Sequence, residues 1–211
     1  MKPYLIGIGG ASCSGKTTLA LEVVRRLGED RAVMVPMDMY YIDLSYLDAP
    51  ARAQHNFDAP ESFDWVLLTG QLEALALGRT VRGPVYDFVS HTRTHETRRI
   101  APCPVIIIEG LLALYSAPVR ALFETKVFVH ARDTVCRARR EERDVQERGR
   151  TLQSVRKQYA ETVRPMAKQY VLPTESLADV IINGEDPVER SCDAVLVHMR
   201  TRTDLDYERV Q

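Results

Sequence analysis

Gly10-Ala11-Ser12-Cys13-Ser14-Gly15-Lys16-Thr17 has a glycine, four further residues, and then glycine, lysine and threonine. That spacing is the P-loop pattern, in which glycines let successive backbone N–H groups converge on a phosphate at the positive end of a helix. The flanks agree with it. Tyr4 to Ile8 is a short apolar run ending in glycines, which reads as a buried strand entering a loop. Thr17 to Leu27 places Leu19, Val23, Val24 and Leu27 at helical spacing, with Gly28 as the stop. On this pattern Gly10, Ala11, Ser12, Cys13, Ser14, Gly15, Lys16, Thr17 and Thr18 form the nucleotide-binding set. Lys16 neutralises the β- and γ-phosphates, and the Thr17 hydroxyl ligates Mg²⁺.

Further apolar runs at Ala32 to Val35, Val105 to Ile108, Val127 to Val129 and Val180 to Ile182 have the length and β-branching of buried parallel strands. Helical patterns lie between them at Trp65 to Leu77, Thr134 to Glu147, Leu152 to Tyr170 and Pro187 to Met199. Strands alternating with helices imply an α/β chain of the P-loop NTPase type, a three-layer fold with a parallel five-stranded sheet covered on both faces. The stretch from Val81 to Ala101, rich in Arg, His and Thr, breaks the alternation and is expected to form a hairpin excursion near a ligand. No repeat or low-complexity linker divides the chain, so residues 1–211 are expected to form a single domain.

The composition narrows the function. With 211 residues and 45% apolar content the chain can bury one sizeable core. A formal charge of -1, from 28 basic and 29 acidic residues, offers no global field for a nucleic-acid backbone. The four cysteines, Cys13, Cys103, Cys136 and Cys192, have no paired spacing and suit neither a zinc cage nor a disulfide scaffold. With no cleavable signal pattern and no membrane-length apolar run, the expected setting is a reducing cytoplasm, away from membranes.

Two acids stand at predicted strand ends. Glu109 follows Val105-Ile106-Ile107-Ile108 at the carboxyl edge of the sheet, where it could hold a Mg²⁺-bound water. Asp38 follows the second strand at the same edge; an acid there serves as often to cap a helix as to do chemistry. No Asn-Lys-x-Asp sequence for reading guanine is present, which argues against a GTPase switch.

Three segments carry more than the P-loop does: Asn56-Phe57-Asp58-Ala59-Pro60-Glu61-Ser62-Phe63-Asp64, Pro84-Val85-Tyr86-Asp87-Phe88 with His91 and Arg93, and Ile108-Glu109-Gly110-Leu111-Leu112. Together with Arg139-Arg140-Glu141-Glu142-Arg143-Asp144, Glu147-Arg148-Gly149-Arg150, Gln158-Tyr159, Val163-Arg164-Pro165-Met166 and Ala178-Asp179-Val180-Ile181-Ile182, they resemble the uridine kinase family in order and spacing over residues 4 to 183. The resemblance implies a Mg²⁺-dependent kinase that phosphorylates the 5′-hydroxyl of uridine and cytidine from ATP or GTP. It implies a homo-oligomer, since the family is often tetrameric.

Residue by residue, it implies Asp38 as general base or hydroxyl-orienting group, placed with Thr17 and Glu109 near the metal. Tyr41 and Phe57 would line the nucleoside site, and Asp58, Arg140 and Gln158 would hold the ribose. Tyr86, Phe88, His91 and Arg150 would enclose the pyrimidine. Arg143 and Arg148 would reach the transferring phosphate from a lid at about residues 137–150. Without that lid, interleaved Arg and Glu from Arg137 to Arg150 reads as a solvated helix face with i,i+4 pairs, and Arg137 and Arg139 are expected to be surface residues. The sequence departs from the family where Ala59 replaces a usual His, and at Asn183-Gly184-Glu185-Asp186, which replaces a turn containing proline and arginine.

Overall fold

A computed structural model describes residues 2–202. β1 (Tyr4–Gly10) runs into the P-loop and α1 (Lys16–Leu27), and β2 (Ala32–Pro36) into a 3-10 turn, Met37–Tyr40. After the short α2 (Ala49–Ala53) and α3 (Trp65–Ala76) come β3 (Val81–Asp87), β4 (Thr92–Ile100) and β5 (Val105–Glu109). α4 (Ala117–Arg120), β6 (Thr125–His130), α5 (Asp133–Gln146), α6 (Leu152–Gln158), α7 (Arg164–Met166), β7 (Val180–Asn183) and α8 (Val188–Arg202) complete the order.

Five strands form one parallel sheet in the order β2-β5-β1-β6-β7. Each strand alternates its side chains between two cores, as the period of two requires. Tyr4, Ile6, Ile8, Val105, Ile107, Val127 and Val129 face Leu19, Val23 and Leu27 of α1 and Cys192, Val195 and Met199 of α8. Leu5, Ile106, Ile108 and Phe128 face the other way, onto Leu68, Leu72 and Leu75 of α3 and onto Leu112, Leu114, Val119 and Phe123. Both faces are dry, so the strands read as continuous apolar runs rather than as alternating ones.

β3 and β4 pair antiparallel in a separate two-stranded sheet, the expected excursion. Arg93 fastens it to the turn after β2, donating to the carbonyls of Tyr41 (2.8 Å) and Tyr40 (3.3 Å) and to Asp64 Oδ2 (3.0 Å). Asp64 also caps α3 by accepting from Leu67 N, so one carboxylate orients both helix and hairpin.

The helix expected over Leu152 to Tyr170 is interrupted. It passes through π-helical turns at Tyr159–Val163 and Ala167–Val171, on either side of the segment holding Pro165. Proline lacks the N–H for an i→i−4 bond and crowds the preceding turn, and a change of hydrogen-bond register is one way the chain absorbs this.

On the central strand, a Cβ at Gly7 would overlap the ring of Phe123, so the ring packs directly on the backbone. Gly7→Val is expected to lower stability by roughly 1–3 kcal/mol, the usual cost of overpacking a core. Urea denaturation should show a lower midpoint at unchanged slope; an unchanged midpoint would mean that Phe123 is free to move aside.

Candidate active site

Parallel pairing carries the carboxyl ends of β2, β5 and β1 to one edge. Glu109 lies in register with Ile8 on one side and Pro36 on the other, which sets it beside the start of the P-loop and just short of Asp38. The loop itself demands small residues: a Cβ at Gly10 would stand 2.5 Å from the Val129 carbonyl oxygen, and Gly15 sits at φ 108°, in the left-handed region. Cys13, at φ 62°, adopts that region at the steric cost of a side chain.

Lys16 points back over the loop, its Nζ 3.4 Å from the Ala11 carbonyl, and Thr17 Oγ1 donates to Glu109 Oε2 at 3.0 Å. Thr18 lies exposed on the first turn of α1. Burial pushes the Glu109 carboxyl above its ordinary range; Lys16 opposes this, Asp38 adds to it, and the Thr17 hydrogen bond opposes it. Asp38 is likewise raised by burial, against the charges of Lys16, Arg148 and Arg143 and a hydrogen bond from Tyr41. Two desolvated carboxylates thus face one lysine at the phosphate edge. Thr17, Glu109 and Asp38 supply hard oxygen donors, and among the described residues no cluster of three or more His, Cys, Asp or Glu could hold a metal unaided. That set fits Mg²⁺, which takes one or two carboxylates and completes its shell with substrate phosphate and water.

The remaining expected residues gather in two groups beside Asp38. The first is aromatic: Tyr41 meets Phe57 edge to face at 5.1 Å between ring centres and Tyr86 at 5.4 Å, and Phe57 stacks on His91 at 4.9 Å with 23° between planes. The buried Tyr86 hydroxyl has no hydrogen-bond partner among the described residues. Burial and the charge of Arg52 lower the His91 pKa, Asp87 raises it, and Arg150 lowers it further, a net shift that favours the neutral imidazole. Phe88 touches the ring of Tyr86 at 5.3 Å but is 58% exposed at the hairpin tip, making it the outermost of the expected base contacts.

The second group is ionic. Gln158 Oε1 accepts from Arg140 (3.1 Å) and Arg150 (2.6 Å). Burial raises the Asp58 carboxyl, Arg140 lowers it, and Asp38 raises it again, which sets Asp58 between the two groups. Arg143 donates through Nε and Nη2 to Asp144 Oδ1. Arg148 pairs with the same oxygen at 3.6 Å.

Sequence reading missed three connections. Arg140 Nη1 donates to Ser12 Oγ at 2.9 Å, tying α5 to the P-loop. Arg139 is exposed, as expected, yet its Nη1 bonds the carbonyls of Gly184 (2.9 Å) and Cys13 (3.4 Å). The buried face of α5 is Cys136, Arg140 and Asp144, so this helix is not solvated all round. The only signal was the four-residue spacing of those three positions.

Comparison with known proteins gives the family. The sequence model of the Phosphoribulokinase / Uridine kinase family matches residues 5–189. The chain belongs to that family. It is 43% identical to the uridine kinase of Chloroflexus aurantiacus over 182 residues, covering 86% of this chain and 87% of that one. To the uridine kinase of Lactococcus lactis subsp. cremoris it is 44% identical over 181 residues, with 86% and 88% covered. Phosphoribulokinase from Rhodobacter spheroides shares the fold at a TM-score of 0.64 and 16% identity, over 89% of this chain and 74% of that chain. The protein is therefore a P-loop kinase of this family, a phosphotransferase.

Where this member of the family carries Ala59, the nearby His55 stacks edge to face on Phe57 at 4.9 Å and bonds Ser62 Oγ through Nε2 at 3.0 Å. A histidine thus braces the loop from a different position.

The raised Asp38 carboxyl gives a stability test. A carboxyl whose folded pKa exceeds its unfolded value binds protons more readily folded than unfolded, so its ionisation costs stability at neutral pH. The cost fades as pH falls through the folded pKa and is gone below the unfolded value of about 3.9. Asp38→Asn should raise the Tm of the free protein by roughly 2–4 °C at pH 7, with the gap closing on acidification. A Tm below wild type at pH 7 would mean that Lys16 and the arginines outweigh desolvation.

Proposed function

We propose that this protein transfers the γ-phosphate of ATP or GTP to the 5′-hydroxyl of uridine and cytidine, giving UMP and CMP for pyrimidine salvage. The observation that carries the reading is the aromatic box of Tyr41, Phe57, Tyr86 and His91, joined through Tyr41 to Asp38 at the sheet edge that also holds the P-loop. Relatives named uridine kinase at 43% and 44% identity support it.

The base enters the box, where stacking on Phe57 and His91 suits a single pyrimidine ring. A neutral imidazole has one donor and one acceptor, so it can meet either the uracil carbonyl or the cytosine amine. The unpaired Tyr86 hydroxyl finds its partner on the ligand. Asp58, Arg140 and Gln158 take the ribose hydroxyls, which aims the 5′-hydroxyl at Asp38. Asp38 orients that hydroxyl and accepts its proton.

The donor triphosphate lies in the P-loop backbone cradle, with Lys16 between the β- and γ-phosphates. Thr17, Glu109 and Asp38 would hold Mg²⁺ directly or through water; when bound, the ion neutralises charge on the β- and γ-oxygens. Arg143 and Arg148 approach the transferring group from the lid. Phosphoryl transfer passes through a loose transition state, so in-line positioning and charge neutralisation contribute more than proton removal. A reducing cytoplasm suits the four free cysteines, Cys13, Cys103, Cys136 and Cys192. No helix among the described residues is long and apolar enough to cross a membrane. A homo-oligomer, tetrameric as the family often is, completes the proposal.

Coupled ADP release measured against nucleosides, pantothenate and ribulose 5-phosphate tests this reading. Uridine and cytidine should be the preferred acceptors, and Lys16→Ala should lower kcat on the order of 10²-fold or more, as for loss of a transition-state charge donor. Adenosine turned over as well as uridine, or hydrolysis indifferent to any acceptor, would overturn it.

The ribose contact gives a sharper measurement. A carboxylate can accept from two adjacent hydroxyls, and a 2′-deoxyribose leaves one acceptor unpaired. Wild type should prefer uridine to 2′-deoxyuridine on the order of 10²-fold in kcat/KM, and Asp58→Asn should lose most of that preference. If Asp58→Asn keeps it, another side chain reads the sugar.

A further inference from the structure

Asp144 is completely buried, on the inner stripe of α5 with Cys136 and Arg140. Four guanidinium groups converge on its carboxylate: Arg143 at 2.8 Å, Arg140 and Arg150 at 3.5 Å, and Arg148 at 3.6 Å. The backbone joins in as well. Gly149, at φ 63°, reverses the chain after α5, and the returning Arg150 N–H donates to the Asp144 carbonyl at 3.1 Å.

One anion among four cations is an unbalanced arrangement. Without the carboxylate the arginines would repel one another and spread; with it they are drawn together but remain in excess. A guanidinium has five N–H donors, and even Arg143 spends only two on Asp144. The set therefore keeps N–H donors beyond those that Asp144 takes up. Arg140 links the set to the P-loop through Ser12 Oγ.

We propose that Asp144 is the positioning residue of the lid: its buried carboxylate gathers Arg140, Arg143, Arg148 and Arg150 into one cluster and so places the guanidinium charge that meets the transferring phosphoryl group. This rests on the kinase reading above. Asp144 touches no substrate; it acts through the arginines. A carboxylate inside a phosphate site would ordinarily oppose phosphate binding by like-charge repulsion. Here four guanidinium groups lie within 3.6 Å of it, so orientation is gained with one negative charge set against four positive ones.

The test is kinetic, with wild type as the first control. Asp144→Asn keeps the volume and removes the charge. It should lower kcat roughly 10- to 100-fold, by analogy with the outer partners that orient metal ligands, at assay temperatures where circular dichroism shows it folded. In a double-mutant cycle with Arg143→Gln the losses should not multiply, since the second change removes a group already displaced. A residue with a merely structural role would give wild-type kcat per folded molecule and multiplicative losses, and either result overturns the proposal. Should Asp144→Asn not fold, Asp144→Glu keeps the charge and displaces it by one methylene, and the same kcat loss and the same non-additivity are expected. If neither variant folds, Asp144 is a folding residue and the proposal fails. Wild type inactive on every nucleoside would sink the kinase reading instead, which separates the two failures.

Discussion

Parallel pairing of β1 between β5 and β6 is the constraint on which everything else hangs. Parallel strands all end at the same edge, so a register that sets Ile8 against Glu109 and Gly10 against Val129 brings a glycine loop, an acid and the following helix terminus to one place. β2, paired with β5 at Pro36 and Glu109, extends that edge to Asp38. A slip by one residue would turn each strand's inward side chains to the opposite core and separate Glu109 from Thr17. The two dry cores hold the register, and the chemistry of the edge follows from it.

The same edge concentrates unfavourable electrostatics. Asp38, Glu109 and Asp58 are all raised by burial, and Asp38 worsens both of the others. Lys16 offsets part of this for all three acids. The α5 segment offsets a further part, through Arg143 and Arg148 for Asp38 and Arg140 for Asp58, and all three acids still stay raised. Carboxylates gathered around the sheet edge and cations of the α5 segment are therefore complementary halves, and each is strained without the other. Such strain is what a site gives up in stability to hold charges where the substrate needs them.

Sequence revealed the parts governed by local rules. The P-loop spacing, the apolar strands and the amphipathic α1 each depend on neighbours in the chain, and they came out within a few residues of their observed bounds. The excursion at Val81 to Ala101 showed itself as a break in the pattern. What stayed hidden depends on partners far away in sequence. Arg139 and Arg140 look alike on a charged helix, yet one braces a turn at Gly184 and the other enters the site at Ser12, positions 45 and 128 residues away. Asp144 sits among glutamates that pair on the surface, such as Glu141 with Arg137 and Arg156. Composition cannot separate a buried acid from a solvated one when both have arginine neighbours. The π-helical turns around Pro165 were hidden for a related reason: a proline predicts a break, but not that the helix resumes in another register.

The turn at Asn183 to Asp186 shows how a departure in sequence can be absorbed by geometry. It lies directly on the P-loop, where a Cβ at Gly184 would collide with the Ser14 carbonyl, so glycine is what permits the contact. Asn183 Nδ2 closes the turn onto Asp186 Oδ1 at 2.9 Å, and Arg132 grips Glu185 through its backbone N–H and its guanidinium, holding that carboxyl down at about 2. Arg139 then bridges turn and loop through the Gly184 and Cys13 carbonyls. Arg132, Arg139 and Arg140 all flank or belong to α5, the helix that also carries the lid cluster. The outer side of the P-loop is thus held by the same element that carries Arg143 and Asp144. A tilt of α5 would disturb the P-loop and the arginine cluster together, because Arg139 and Arg140 reach Cys13 and Ser12 from the same helix that holds Asp144.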